Sequence, residues 1–339
     1  MKFDSLFSLL ASKFLILTGK PEEKATKSEF LDIENPSNTC KLPDFPTTLY
    51  DAVAGFTKKG PLICSGYDGS PSSDCYLLTR DRQFIKFKNK LAKARYEASS
   101  IVTDDGELWV TGGYYTTNTY LDTTELVTTQ RRRNSGSLKR KVYGHCVTRI
   151  NATRAILTGG YERSSKGNSN STYFIDLTTM EVQEEKGPEL NKERMNHGCT
   201  TFNHKGYDVV IVAGGRYHSY GHRYYDLETW EFLNLSDKNL KWEYFDLSHP
   251  LPVKLHYFSL VSSTHGPLAI GGYKESRKIL RLDCGSLDDI SKCSWKEEHE
   301  MELKVGRHGH VVIPLGDAFA HEICSSDCRN VTGCDMTYR

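Results

Sequence analysis

Short apolar runs recur along the chain, each ending abruptly in glycine and followed by a polar, turn-rich stretch. Leu108-Trp109-Val110-Thr111-Gly112-Gly113-Tyr114, Ala155-Ile156-Leu157-Thr158-Gly159-Gly160-Tyr161, Val209-Val210-Ile211-Val212-Ala213-Gly214-Gly215 and Leu268-Ala269-Ile270-Gly271-Gly272-Tyr273 are full copies of this phrase. Leu62-Ile63-Cys64-Ser65-Gly66-Tyr67 keeps only the second glycine, and Leu15-Ile16-Leu17-Thr18-Gly19-Lys20 only the first. Apolar runs of this length bounded by turn residues predict strands. No segment carries a sustained 3.6-residue period with caps, so the expected class is all-β. The second-glycine position falls at Lys20, Gly66, Gly113, Gly160, Gly215 and Gly272, in steps of 46, 47, 47, 55 and 57 residues. Such a period predicts stacked supersecondary units, and six of them use nearly all of the 339 residues.

Each unit reads as four antiparallel strands, with the glycine-terminated run second. Third strands are expected at Phe30–Ile33, Cys75–Leu78, Thr123–Val127, Tyr173–Leu177, Tyr224–Leu227 and Ile279–Leu282. In unit five Trp230 follows Tyr224 by six residues. Unit three departs from the pattern: Arg131-Arg132-Arg133 and Lys139-Arg140-Lys141 stand where an aromatic outer strand belongs. That run reads as a solvated loop around Ser135, Gly136 and Ser137. A seventh opening strand, Arg307-His308-Gly309-His310-Val311-Val312-Ile313, has no Gly-Gly strand after it, and unit one lacks a clear opening strand. The C-terminal strand is therefore expected to complete the first unit and remove the exposed sheet edge. The resulting organisation is a short signal peptide or arm at 1–12, a ring at 13–320 and a cysteine-containing tail at 321–339.

Gly-Gly, a tyrosine about ten residues on and a tryptophan six later, with the opening Arg-x-x-His of Arg194–His197 and Arg307–His310, resembles the kelch repeat. The resemblance implies a six-bladed kelch β-propeller with a tunnel lined by opening strands. It also implies a binding face formed by the second-to-third-strand turns and the inter-blade links. Units one and two, lacking a full glycine pair, and unit three, lacking its tryptophan, are expected to pack less regularly.

Composition narrows the function. Lysine plus arginine (44) nearly balance aspartate plus glutamate (43), which argues against bulk attraction to nucleic acid. No apolar run is long enough for a membrane helix. Ten cysteines are many for a cytosolic chain. Cys64 with Cys75 and Cys284 with Cys293 each flank a short turn. Cys146 and Cys199 are further disulfide candidates, and one of Cys324, Cys328 and Cys334 is expected to reach Cys40 if the tail lies against unit one. Asn151, Asn170, Asn234 and Asn330 head glycosylation sequons. These features favour a secreted, monomeric protein over an intracellular kelch adaptor.

Candidate chemistry is sparse. His145, His197 and His310 hold equivalent opening-strand positions, with Tyr257, Ala52 and Ala98 aligned at the other three. They are expected to line the tunnel and to hydrogen-bond between units, the alternative being a galactose-oxidase-like copper site. His321 with Cys324, Cys328 and Cys334 lacks the paired hooks of a zinc site, so disulfides are expected there. No serine-hydrolase elbow, phosphate-binding loop or zinc-protease pair occurs. The expected function is non-enzymatic binding of a protein partner, without cofactor or metal. The turns expected to carry it are Asp68–Ser73, Tyr115–Tyr120, Glu162–Ser171, Arg216–His222 and Lys274–Lys278. The residues singled out on them are Tyr115, Tyr120, Arg163, Arg216, Tyr217, His218, Tyr220, His222 and Arg277, because aromatic and polar side chains on rigid turns make contact sites.

Overall fold

The computed structural model describes residues 10–21, 26–127, 133–162, 167–179, 181–219, 223–245, 249–274, 276–286 and 289–325. Five four-stranded antiparallel sheets follow one another along the chain. Sheet two is Val53–Thr57, Gly60–Cys64, Cys75–Leu78 and Phe84–Lys86; sheet three is Ser99–Val102, Leu108–Thr111, Thr123–Val127 and Arg133–Ser137. Sheet four is Cys146–Arg149, Arg154–Thr158, Thr172–Asp176 and Glu181–Lys186; sheet five is Gly198–His204, Tyr207–Ala213, Trp230–Asn234 and Trp242–Phe245. Sheet six is Ser259–Ser263, Gly266–Ile270, Lys278–Asp283 and Ser294–Glu302. Sheet one draws on both ends of the chain: Lys13–Leu17 pairs with Glu29–Asp32 on one side and Val311–Leu315 on the other, Leu15 opposite Ile313.

The glycine-terminated runs are buried at every position, and apolar but for a Thr or Ser just before the glycine, because each second strand has a core on both faces. Phe14 and Ile16 pack toward sheet six, while Leu15 and Leu17 pack toward sheet two. Leu62 and Cys64 face sheet three, and Ile63 faces sheet one. The buried residues form six clusters, one between each pair of consecutive sheets, with sheets six and one sharing the last.

Several local expectations need correction. Tyr224–Leu227 is not the third strand of unit five. Arg223–Asp226 pairs instead with Arg216–Ser219 in a separate hairpin, and Trp230–Asn234 takes the third-strand place against Tyr207–Ala213. In unit three Ser135, Gly136 and Ser137 belong to an outer strand, Arg133–Ser137, and not to a loop. The missing outer tryptophan is replaced from within: buried Trp109 on the second strand donates Nε1–H to Ser135 Oγ at 2.7 Å. Arg131 and Arg132 lie outside the described residues. A helix, Asp317–Ser325, was not foreseen and spans the expected ring–tail boundary; its Phe319, Ala320 and Ile323 pack into the core between sheets one and two. Residues 1–9 of the expected arm lie outside the described residues, but Ala11 already bridges Ser263 and the Ser12 carbonyl accepts from Ile33 N–H at 2.8 Å.

Four disulfides brace the sheets. Cys64–Cys75 links opposed residues within sheet two, and Cys284–Cys293 closes a turn of sheet six. Cys146–Cys199 joins the opening strands of sheets four and five. Cys40–Cys324 ties the final helix to sheet one across 284 residues, which removes Cys324 from any zinc site with His321. Cys328 and Cys334 lie outside the described residues, as does Asn330. Of the other sequons, Asn151 is exposed on a turn, whereas Asn170 Nδ2 donates to Leu190 O at 3.2 Å and Asn234 Nδ2 to Asp237 at 3.4 Å. No helix among the described residues is long and apolar enough to cross a membrane.

Candidate functional site

Just before each opening strand, one residue adopts a left-handed backbone: Asp51 (φ 51°), Glu97 (48°), Gly144 (61°), Asn196 (50°), Tyr257 (54°) and Gly309 (62°). Each of these donates its N–H to the carbonyl of the equivalent residue one sheet earlier. The distances are 3.2 Å for Glu97 to Asp51, 2.9 Å for Gly144 to Glu97, 2.7 Å for Asn196 to Gly144 and 3.0 Å for Tyr257 to Asn196. Gly309 to Tyr257 at 2.8 Å and Asp51 to Gly309 at 2.7 Å complete the circuit. Glycine takes this conformation freely and Asp or Asn at small cost, but Glu97 and Tyr257 pay strain of order 1–3 kcal/mol. Strained residues of this kind concentrate at binding sites.

The following position points between sheets: Ala52, Ala98, His145, His197, Phe258 and His310. Tyr257 was expected here, but the register gives this place to Phe258 and sets Tyr257 one residue earlier, on the circuit. His145 Nε2 bonds Thr111 Oγ1 at 2.8 Å and His197 Nε2 bonds Thr158 Oγ1 at 2.9 Å, each across to the preceding sheet. His310 meets Ile270 in that place and finds no hydroxyl. The paired glycines make room for these rings. A Cβ on Gly112 would stand 2.8 Å from His145 Cε1, and one on Gly159 2.8 Å from His197 Cε1.

Burial, reinforced by the Arg95 charge, lowers the His145 pKa to about 3. Burial with Arg307 and His308 brings His310 to about 3, and burial with Arg194 and His145 sets His197 well below its ordinary value. The unfolded chain, with histidine near pH ~6.5, then binds more protons than the fold. Stability is full above about that pH and falls as the pH drops, by about 1.4 kcal/mol per unit for each histidine. Buried His256, brought to about 4 by burial with Arg216, adds to the same slope. Urea unfolding between pH 7 and pH 5 is expected to show it, and His310→Phe, the residue found at the matching position 258, to flatten it by about one quarter. An unchanged slope in that variant would refute the assignment. Among the described residues no group of three or more His, Cys, Asp or Glu side chains is placed to hold a metal.

The arginines of the opening motif are structural. Arg95, Arg194 and Arg307 are buried and pair with Glu125, Glu231 and Glu29, all three acids also lying inside the protein. Arg194 Nη2 reaches Glu231 at 2.7 Å, and its Nη1 donates to Gly214 O and Thr229 O. Glu231 also accepts from Asn191 N at 2.7 Å and Lys192 N at 3.1 Å, so the acid fixes the incoming inter-sheet link. Sequence reading missed these glutamates. Their signal is a position two residues beyond the one whose carbonyl receives the arginine: Thr123, Thr229 and Lys27.

Asp51, Glu97, Asn196 and Tyr257 line a cavity of about 120 Å³ on the axis. Glu97 accepts from Asn196 Nδ2 at 2.9 Å and Tyr257 OH at 3.1 Å. Burial holds the Glu97 pKa above the usual carboxylate range, against the pull of those two donors and of Arg216. Burial and then the neighbouring Glu97 raise Asp51 well above that range, with Lys20 opposing.

Around this mouth runs an aromatic and basic collar. The residue after each glycine pairs through its backbone with the residue preceding each circuit position: Tyr67 with Tyr50, Tyr114 with Tyr96, Tyr161 with Tyr143, Arg216 with Met195, and Lys20 with His308. Tyr273 N–H likewise donates to His256 O at 2.9 Å. Tyr50, Tyr67, Tyr96, Tyr114, Tyr143 and Tyr161 form an unbroken series of ring contacts with centroids 5.1–5.3 Å apart. Of the residues expected to bind, Tyr120 joins this series, 4.9 Å from Tyr143. Tyr115 lies beneath Lys93, with Nζ 5.2 Å from its ring. Tyr217 stacks on Tyr225 at 5.2 Å, and His218 packs on Tyr224 at 4.8 Å. Arg216 pairs with Asp226 at 3.2 Å and lies over Tyr224 at 4.6 Å and Tyr273 at 5.9 Å. Arg277 is turned to its own sheet, donating to Leu303 O and Glu302 Oε1, both at 2.6 Å. Arg163, Tyr220 and His222 lie outside the described residues. Tyr224, Tyr225 and Tyr273, which were not singled out, are exposed at 51, 43 and 44%.

The sheets, their shared cores and the four cross-links define a disulfide-braced β-propeller. No protein-family model matches the chain, and no curated protein matches it. Among solved structures, that of YjhT, a β-propeller, is similar over 85% of this chain and 95% of its own, with a TM-score of 0.67 at 13% identity. At that identity the likeness is one of fold.

Proposed function

We propose that this is a six-bladed kelch-type propeller, sealed by Val311–Leu315 in the first blade, which works outside the cell as a non-catalytic binder of a protein partner. The cyclic hydrogen-bond circuit and the six inter-sheet cores support the ring, and the recurring opening motif supports the kelch assignment. Four disulfides favour an oxidising compartment. The observation that carries the binding reading is the pair of exposed tyrosines, Tyr224 and Tyr273, gathered around Arg216 beside the tunnel mouth, with exposed Tyr225 stacked on Tyr217 on the other face of the same hairpin. Exposed tyrosines held on a hairpin beside an arginine have the composition of interface hot spots.

A Tyr224→Ala/Tyr225→Ala double variant tests it. Both side chains are solvent-exposed, so stability should hold, while capture of an extracellular partner should weaken at least about tenfold, or ~1.4 kcal/mol. Ile85→Ala, exposed on the outer strand of sheet two, should bind as the unaltered protein does. Undiminished capture by the tyrosine variant would reject this face.

A further inference from the structure

Resting on that reading, we propose that the tunnel mouth is a receptor for one primary ammonium group on a slender alkyl stem, as a partner's lysine side chain presents it. The circuit places hydrogen-bond acceptors on the axis in excess of donors. Asp51 and Glu97 are neighbours in it, and the donors that Glu97 receives, Asn196 Nδ2 and Tyr257 OH, are neutral. Asn196 is 8% exposed and donates from Nδ2 to Glu97, while its Oδ1 has no hydrogen-bond partner among the described residues and Asn196 lines the same cavity. Two carboxylates and an orphaned amide oxygen ask for a compact donor carrying positive charge. An ammonium offers three N–H groups in a point charge, whereas a guanidinium needs a planar slot.

The cations already present, Arg216 and Lys20, act on these groups only from a distance. Arg216 is paired with Asp226, and Lys20 Nζ sits 4.2 Å over the Tyr50 ring. Among the described residues neither forms an ion pair with Asp51 or Glu97. The cavity of about 120 Å³ is well below the ~300–1,000 Å³ of sites that enclose whole small molecules, so it suits a head group delivered on a stem. The tyrosine series at its rim supplies the rest, because ring faces attract cations and their edges pack an alkyl chain. Both carboxyl groups are held above their ordinary range, chiefly by burial, and a bound ammonium would relieve that cost.

Titration of the full chain with n-butylammonium chloride at constant ionic strength, followed calorimetrically and by tyrosine fluorescence, tests the site. Saturable binding is expected, at least tenfold weaker in Glu97→Gln and in Asp51→Asn, with no binding of the neutral N-butylacetamide. Asn tolerates the left-handed backbone at position 51, so Asp51→Asn keeps the test open should Glu97→Gln fail to fold. Equal binding of N-butylacetamide, or variants that bind butylammonium as the parent does, would overturn the proposal. The partner experiment separates the two readings. Capture lost in the Tyr224/Tyr225 variant while Asp51→Asn alters neither capture nor butylammonium binding would sink the ammonium site alone. Butylammonium binding that depends on Glu97, with capture indifferent to the tyrosines, would sustain the site and reject the rim.

Discussion

Replacing Glu231 by alanine is expected to lower the unfolding free energy by about 3–5 kcal/mol, the usual cost of removing one partner from a buried ion pair. Glu231 and Arg194 are both fully buried. The substitution leaves the guanidinium with its two carbonyl contacts but no counter-charge, and it strips the Asn191 and Lys192 amides of their acceptor. Equilibrium urea unfolding measures the loss. An Arg194→Met/Glu231→Leu double variant should recover part of it, because no charge is then stranded. Were Glu231→Ala to cost under ~1 kcal/mol, as an exposed pair would, the arginine could not be the internal brace described for it. The same device recurs at Arg95–Glu125 and Arg307–Glu29, so the matching substitutions should behave alike.

The second large effect is expected from Cys324→Ser. Losing a native disulfide costs about 2–5 kcal/mol, more for longer loops, and 284 residues separate Cys40 from Cys324. The upper end is therefore expected. The bond matters because sheet one is assembled from strands at opposite ends of the chain, so nothing local holds Val311–Leu315 beside Lys13–Leu17 in the unfolded state. The helix that carries Cys324 adds Phe319 edge-on to Phe56 at 5.1 Å. Cys64→Ser, closing a span of only 11 residues, should cost less. An equal or larger loss from Cys64 would argue against chain closure as the source of the effect.

The repeat was legible because its physics is strong. A strand with a core on each face is apolar along nearly its whole length, and the glycines after it admit a neighbouring histidine. The hairpin of unit five was misread for an equally physical reason: Tyr224-Tyr225-Asp226 does form a strand, but one paired with Arg216–Ser219 beside the mouth. The 57-residue step from Gly215 to Gly272 was the trace of that insertion. Unit three misled because a basic run reads as solvent-facing, while Ser135 bonds the Trp109 indole through its hydroxyl. The final helix is too short to set up a period that could be recognised. Least visible was the candidate site. Asp, Glu, Gly, Asn, Tyr and Gly share a backbone conformation and a hydrogen-bond circuit, not a side-chain type, so no motif joins Asp51, Glu97 and Asn196. The tyrosines after each glycine were seen, but only the fold brings their partners Tyr50, Tyr96 and Tyr143 alongside.

Peptide mapping without reduction, on protein taken from the cells that make it, tests the ring and its setting most directly. The fragment containing Cys40 should be recovered covalently joined to the one containing Cys324, with Cys146 joined to Cys199. Recovery of Cys40 as a free thiol, or bonded to a cysteine other than Cys324, would contradict a first blade built from both ends of the chain.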